Sequence, residues 1–218
     1  MNFTSNITLL SSFHMEVGKC NPHELYKILE DIKPDVIFEE LPAHIFHSIY
    51  SGKRPPQTVE SRAISVYIRN YDVKHFPVDT YEFDLHELFS EYDFIVELSE
   101  SYNKVFEKLI KSVSDFGFNF LNSPACTELI SELKSLELKV LKENAPKILL
   151  EKYQQETFIH DLRETEILNN IYNYSIKYPY NNAILICGTD HKKGIMEKLT
   201  NFKKEMKWNS NWRFYNAY

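Results

Sequence analysis

The chain has 218 residues, 43 % of them hydrophobic and 26 % charged, with a formal net charge of −6. That length buries a sizeable core and is most simply one domain, while the acidic balance and scattered Lys and Arg exclude a polyanion-binding role, so neither nucleic acid nor a membrane is an expected partner. Three cysteines (Cys20, Cys126 and Cys187) without CxxC spacing argue against a disulfide framework or structural zinc and fit a cytoplasmic location, and only five glycines, in no phosphate-loop pattern, argue against a nucleotide site.

Met1–Asn6 lacks a basic segment and the apolar stretch after it is short, so neither a signal peptide nor a membrane span is expected. Ile7–Leu10 reads as a buried strand. After a loop through Gly18, Asn21-Pro22 opens a helix carrying Leu25, Ile28, Leu29 and Ile32 at helical spacing, and Pro34 stops it. Val36–Glu40 is the second strand, and strand, helix and strand in this order make a parallel βαβ unit. Pro42-Ala43 begins a short helix ending near Gly52, Thr58 caps another that runs through Tyr71, and Val73–Val78 is a third strand that Pro77 places near the sheet edge.

From Leu85 to about Ile159 the pattern is helical, with breaks at Asp115–Pro124 and Ala145-Pro146. Ile95, Leu98, Tyr102, Val105 and Leu109 form one stripe, and Cys126, Leu129, Leu133, Leu136 and Val140 another, as in a helical hairpin or small bundle. Glu156–Tyr178 is a further helix, Ala183–Cys187 a strand, Lys192–Phe202 a helix after a tight turn at Gly188, and Trp212–Tyr215 a last edge strand. The fold class is α/β: a mainly parallel open sheet flanked by helices in one domain over 1–218, with residues 85–158 as a helical insertion beside or over the cleft.

Two strand runs end in histidine, Ile7–His14 and Ala183–His191, and between them Val36-Ile37-Phe38 ends in Glu39-Glu40. Open α/β sheets bind ligands outside the carboxyl ends of their strands, so these three runs are expected to converge on one site. His191 opens a helix, where unpaired N–H groups and the dipole favour a neutral imidazole able to ligate a metal or act as a base. His14 taken alone is equally an ordinary hydrogen-bonded loop histidine. Adjacent Glu39 and Glu40 face opposite sides of a strand, so at most one joins the histidines.

Arg62 beside Glu60, and Arg163 beside Asp161 and Glu164, read first as solvated helix-face ion pairs and second as guanidinium groups for a substrate carboxylate or an oxyanion. Asp79, after the third strand, is an additional candidate. His44 and His47 read mainly as surface or packing residues. His23, His75, His86 and His160 have no supporting context beyond the nearness of His160 to Arg163. No GxSxG elbow or cysteine-nucleophile motif occurs.

The blocks His14–Gly18 and Lys33–Pro42 resemble the start of the TraB/TIKI superfamily, whose relatives are the erythromycin esterases and the ChaN-like proteins. Gly188-Thr189-Asp190-His191 matches the second GxxH motif of that superfamily, and Ser11-Ser12-Phe13-His14 matches the first except for Ser11. Glu40 resembles the family Glu, with Glu39 as the fallback, and Arg163 resembles the family Arg. The resemblance covers about residues 7–62 and 159–200 and implies a metal-dependent protease, a His/Glu hydrolase or a haem binder, according to branch.

Residues and resemblance together predict a hydrolase of ester or peptide bonds. His14, Glu40 and His191 would either hold one divalent metal (Zn, Mn, Co or Fe) or serve as bases for water. Arg163 would stabilise the oxyanion, with Arg62 and Glu60 contacting a small-molecule or peptide substrate. The alternative is a noncatalytic protein holding haem, a metal or a small anion in the same pocket. A third reading is an interaction protein working through the helical insertion.

Overall fold

The computed structural model describes residues 5–80 and 90–215. Leu85, the expected start of the insertion, and His86 lie outside the described residues. Five strands, β1 (Ser5–Ser12), β2 (Val36–Pro42), β3 (Lys74–Asp79), β4 (Asn182–Gly188) and β5 (Ser210–Phe214), form one all-parallel sheet in the order β3-β2-β4-β1-β5. Among the described residues nine helices flank it: α1 (Pro22–Ile32), α2 (Ala43–Tyr50), α3 (Val59–Asn70), α4 (Ser90–Leu98), α5 (Glu100–Phe116), α6 (Phe118–Leu121), α7 (Pro124–Asn144), α8 (Lys147–Lys177) and α9 (Thr189–Glu205). The expected parallel α/β architecture is the observed one, and β3 lies at an edge, where Pro77 is tolerated.

Helix positions follow local chemistry. Asn21 caps α1 by accepting from the Glu24 N–H, and Pro22 supplies a preset first turn. Thr58 and Ser61 make a reciprocal capping box on α3. Ser123 caps α7, again with Pro in the first turn.

Strand alternation builds two cores. Leu10, Ile37, Ile184 and Ile186 face one side, where they meet α1, α3 and the helices α4–α7. Ile7, Leu9, Val36, Phe38, Ala183, Leu185 and Cys187 face the other, covered by the second half of α8 and by α9. Both sheet faces are therefore buried, as in a doubly covered parallel sheet.

Several boundaries differ from the expectation; the helix expected over Lys192–Phe202 runs over Thr189–Glu205 and the last strand over Ser210–Phe214. The helix expected from Glu156 begins at Lys147, because Pro146 sits just before the first turn, where its missing N–H costs nothing, and nothing later breaks the run. Residue 158 thus lies inside a continuous helix. The stripe from Ile95 to Leu109 spans two helices, since Ser99 ends α4 and caps α5, and Leu98 is exposed. The break at Asp115–Pro124 contains the short helix α6. No helix among the described residues is long and apolar enough to cross a membrane.

Candidate active site

β1 and β4 are neighbours, yet the chain leaves them for opposite faces. β1 leads to α1 on one side, and β4 runs into α9 on the other. Such a divergence opens a crevice outside the carboxyl ends of the two strands. His14 lies just past β1, His191 is in the first turn of α9, and Glu40 is near the end of β2, which pairs with β4. The long helix α8 crosses this end of the sheet. Leu149, Leu150 and Tyr153 pack on the first core, Ile167 and Leu168 belong to the second, and His160, Arg163 and Glu164 lie between them.

Glu40 is the centre of the cluster. It shares strand parity with Val36 and Phe38 and so faces the α8–α9 side. Its Oε1 accepts from Arg163 Nη2 at 2.8 Å and lies 3.1 Å from His191 Nε2. Its Oε2 accepts from the Gly188 N–H at 2.6 Å and lies 3.9 Å from His14 Nε2. The carboxylate thus occupies the anion position at the N-terminus of α9, which has no side-chain cap of its own. Burial alone would raise the Glu40 pKa, but His191, His14 and Arg163 together hold it well below the usual carboxylate range.

Glu39, the fallback, goes the other way. It accepts from Tyr50 Oη at 2.6 Å and pairs with His75 Nδ1 at 2.8 Å. His75 therefore has a structural partner that sequence context did not indicate.

His14 has a left-handed φ of 60°, uncommon outside glycine. The start of α3 holds it there: the His14 N–H donates to Glu60 Oε1 at 3.2 Å, and the His14 carbonyl accepts from the Val59 N–H at 3.0 Å. Glu60 Oε1 also lies 3.2 Å from the ring Nδ1, leaving Nε2 toward Glu40. Burial opposes charge on this imidazole, yet Glu60 and Glu40 outweigh it and raise its pKa to about 9. The His14 side chain keeps 44 % exposure, so solvent reaches it.

Gly188 is needed for room. Its φ is −56°, open to any residue, but a Cβ there would sit 2.6 Å from His14 Nε2. The requirement is the approach of an imidazole, not the tight turn expected from the sequence.

His191 departs from the helix-dipole expectation of a neutral ring. Burial would lower its pKa, but the carboxylates of Glu40 and Glu164 outweigh burial and raise it to about 9. Two full charges at contact distance exceed the half charge of a helix terminus.

The arginines take other partners than the acids beside them on their own helices, because residues one or two apart do not face each other on a helix. Arg163 donates from Nε and Nη2 to Asp79 at 3.2 and 2.7 Å, and from Nη2 to Glu40. Glu164 and Asp161 instead accept from Lys198. Arg62 pairs with Glu16 at the surface, with 46 % of its side chain exposed, while Glu60 is buried against His14. Glu60 is held down to about 2: burial raises it, but His14 and hydrogen bonds prevail.

His160 was without support in the sequence. Its ring stacks on His191 with centroids 4.2 Å apart. His160, Glu164 and His191 each offer a ligand atom within 4.8 Å of the others, so this group could hold a metal ion. It shares only His191 with the anticipated set of His14, Glu40 and His191. The fit has a second sign: His191 Nδ1 is buried without a hydrogen-bond partner, 3.6 Å from Glu164 Oε1. A Cβ at Gly194 would strike the Glu164 carboxylate, so the absence of a side chain there admits it. The one sequence signal for this group is the i, i+4 spacing of His160 and Glu164 on one helix.

Asn122 and Lys192 form a further buried polar group that no sequence motif marks. Asn122 bonds both the N–H and the carbonyl of buried Ser11, and its own carbonyl accepts from Lys192 Nζ at 2.8 Å. The segment between α6 and α7 is thereby tied to the end of β1 and the start of α9. His44, His47 and His23 are exposed, in keeping with a surface role.

No protein-family model, curated protein or solved structure matches the chain.

Proposed function

We propose that the chain is a hydrolase of ester or peptide bonds, related in design to the TraB/TIKI-like proteins. One observation carries the reading: a carboxylate held between two imidazoles and a guanidinium, at the carboxyl end of a parallel sheet. The four residues that carry the resemblance, His14, Glu40, Arg163 and His191, come from four different elements and meet only at this point. That supports a site selected for chemistry over a chance surface grouping.

Each residue has a role within reach. His14 is the accessible imidazole. With Nδ1 on Glu60, its Nε2 in the neutral form takes a proton from water as that water attacks a carbonyl carbon. Glu40 aligns the His191 imidazole, 3.1 Å from its Nε2, and lies 3.9 Å from His14 Nε2. Arg163 supplies positive charge for the developing oxyanion; its Nε and Nη2 bond Asp79 and its Nη2 bonds Glu40, leaving Nη1 outside these pairs. A divalent ion, when bound, would add Lewis-acid polarisation. A recess of about 160 Å³, walled by Thr127, Ile130, Ser131 and Lys134 of α7 and by Thr189, Asp190 and Lys193 of α9, lies next to the first turn of α9.

The test is hydrolysis by the full chain of a panel of carboxylic esters and peptides, with and without added Zn²⁺, Mn²⁺, Co²⁺ or Fe²⁺. Turnover that drops at least 100-fold in His14→Ala and Glu40→Gln sustains the reading. Folded protein that turns over nothing on the panel, or variants as active as the parent, overturns it. Ligand-induced thermal stabilisation without turnover, or a Soret band, would put the noncatalytic binding reading in its place.

A further inference from the structure

His191 uses its two ring nitrogens unequally. Nε2 faces Glu40 Oε1 at 3.1 Å, whereas Nδ1 is buried, has no hydrogen-bond partner and stands 3.6 Å from Glu164 Oε1. A buried unpaired ring nitrogen carries a desolvation cost that native structures rarely leave standing. The neighbours of that nitrogen are the kind that bind metals. Glu164 is itself buried and oriented, its Oε2 fixed by Lys198 Nζ at 2.6 Å so that Oε1 is presented to His191. His160 is one helical turn before Glu164, on the same face of α8; its ring lies nearly parallel to that of His191, with centroids 4.2 Å apart, so one of the two rings turns about its χ angles to bring both lone pairs onto an ion.

We infer that His160, Glu164 and His191 Nδ1 are the protein ligands of a single divalent transition-metal ion, and that Glu40 is the positioning residue whose carboxylate fixes the His191 tautomer by accepting from Nε2–H. Two imidazoles and one carboxylate suit Zn²⁺, Co²⁺, Fe²⁺ or Ni²⁺ better than Mg²⁺ or Ca²⁺. A carboxylate behind a ligating histidine is the usual means of orienting the ring and raising its basicity. Both elements that supply ligands are rigid helices, and Gly194 on α9 makes the room Glu164 occupies. His14 is left out of the coordination sphere: Glu60 engages its Nδ1, and its Nε2 belongs to the far side of Glu40. This assignment rests on the ligand geometry and stands apart from the hydrolytic reading.

The experiment uses the full chain, stripped with a chelator and titrated with CoCl2 and ZnCl2. Calorimetry gives the stoichiometry, and the Co²⁺ visible spectrum gives the coordination. One ion per chain is expected, with Co²⁺ bands of a four- or five-coordinate nitrogen and oxygen site. His160→Ala and Glu164→Gln should lose at least 100-fold in affinity, Glu40→Gln about 10–100-fold as expected of an outer-shell carboxylate, and His14→Ala little. Circular dichroism checks that each variant folds, and His160→Gln replaces His160→Ala if that one does not. The absence of one-to-one binding, retention of it in both His160 variants, or its loss in His14→Ala or in a His44→Ala/His47→Ala control would overturn the assignment. None of these readouts requires turnover, so failure of the ion site and failure of the hydrolase reading are separable.

Discussion

Glu39 and Glu40 are chain neighbours whose carboxyl groups shift in opposite directions. Burial raises the Glu39 pKa and outweighs its bonds to His75 and Tyr50, whereas the cations around Glu40 hold it down. The same contrast governs His14, whose pKa of about 9 depends chiefly on Glu60 overcoming burial. Glu60→Gln should therefore lower that pKa by at least one unit, read from the imidazole resonances in a pH titration. If neutral His14 is the base, the rising limb of the hydrolysis profile moves to lower pH with it, and an unmoved limb would separate His14 from the proton transfer. Gly188→Ala tests space. Its Cβ, 2.6 Å from His14 Nε2, must displace an imidazole, so activity should fall at least 10-fold while overpacking costs about 1–3 kcal/mol in denaturant titration.

At the scale of elements, α3 acts as the clamp of the His14 loop. Its first turn donates the Val59 N–H to the His14 carbonyl and supplies Glu60. The Thr58–Ser61 capping box holds that turn in place. Thr58→Ala should cost about 1 kcal/mol, measured by chemical denaturation, and should also lower activity, because the cap holds the same first turn that carries Glu60, the residue that orients the imidazole. A loss of stability with activity intact would show that the loop holds His14 without α3. The helix α8 does a different job: its ends belong to two cores, and its middle delivers Arg163, Glu164 and His160 to the crevice between them.

Across the molecule, these buried charges link folding to pH. His14 is raised from 6.5 to about 9, so its contribution is fully present below 6.5 and is lost as pH climbs through 9. Glu60 is lowered from 4.5 to about 2, so its contribution is present above 4.5 and is lost as pH falls through 2. Glu39 is raised and acts with the opposite sign, losing stability as pH rises above 4.5. In metal-free buffer the denaturation midpoint is therefore expected to peak between about 4.5 and 6.5 and to decline toward pH 9. His14→Gln should make the alkaline decline shallower, and a decline as steep as the parent's would show that His14 gains nothing from its carboxylates.

Much of this was legible locally. Strand alternation sets which face each residue occupies, so the opposite directions of Glu39 and Glu40 follow from a period of two, while the parallel sheet follows from the strand–helix–strand order and the continuous apolar runs from burial on both faces. The helix starts at Asn21 and Thr58 follow from side chains reaching the backbone three residues on. The histidines at the ends of β1 and β4 could be paired from the sequence because strand ends share one edge of a parallel sheet. Which charges meet was a different matter. Arg163 bonds Asp79 and Glu40 across three elements and not the acids beside it, and His160 gains a role only because α8 passes over α9. Periodicity decides the face a residue lies on; only the packing of elements decides what stands opposite it, and buried charges select partners by distance.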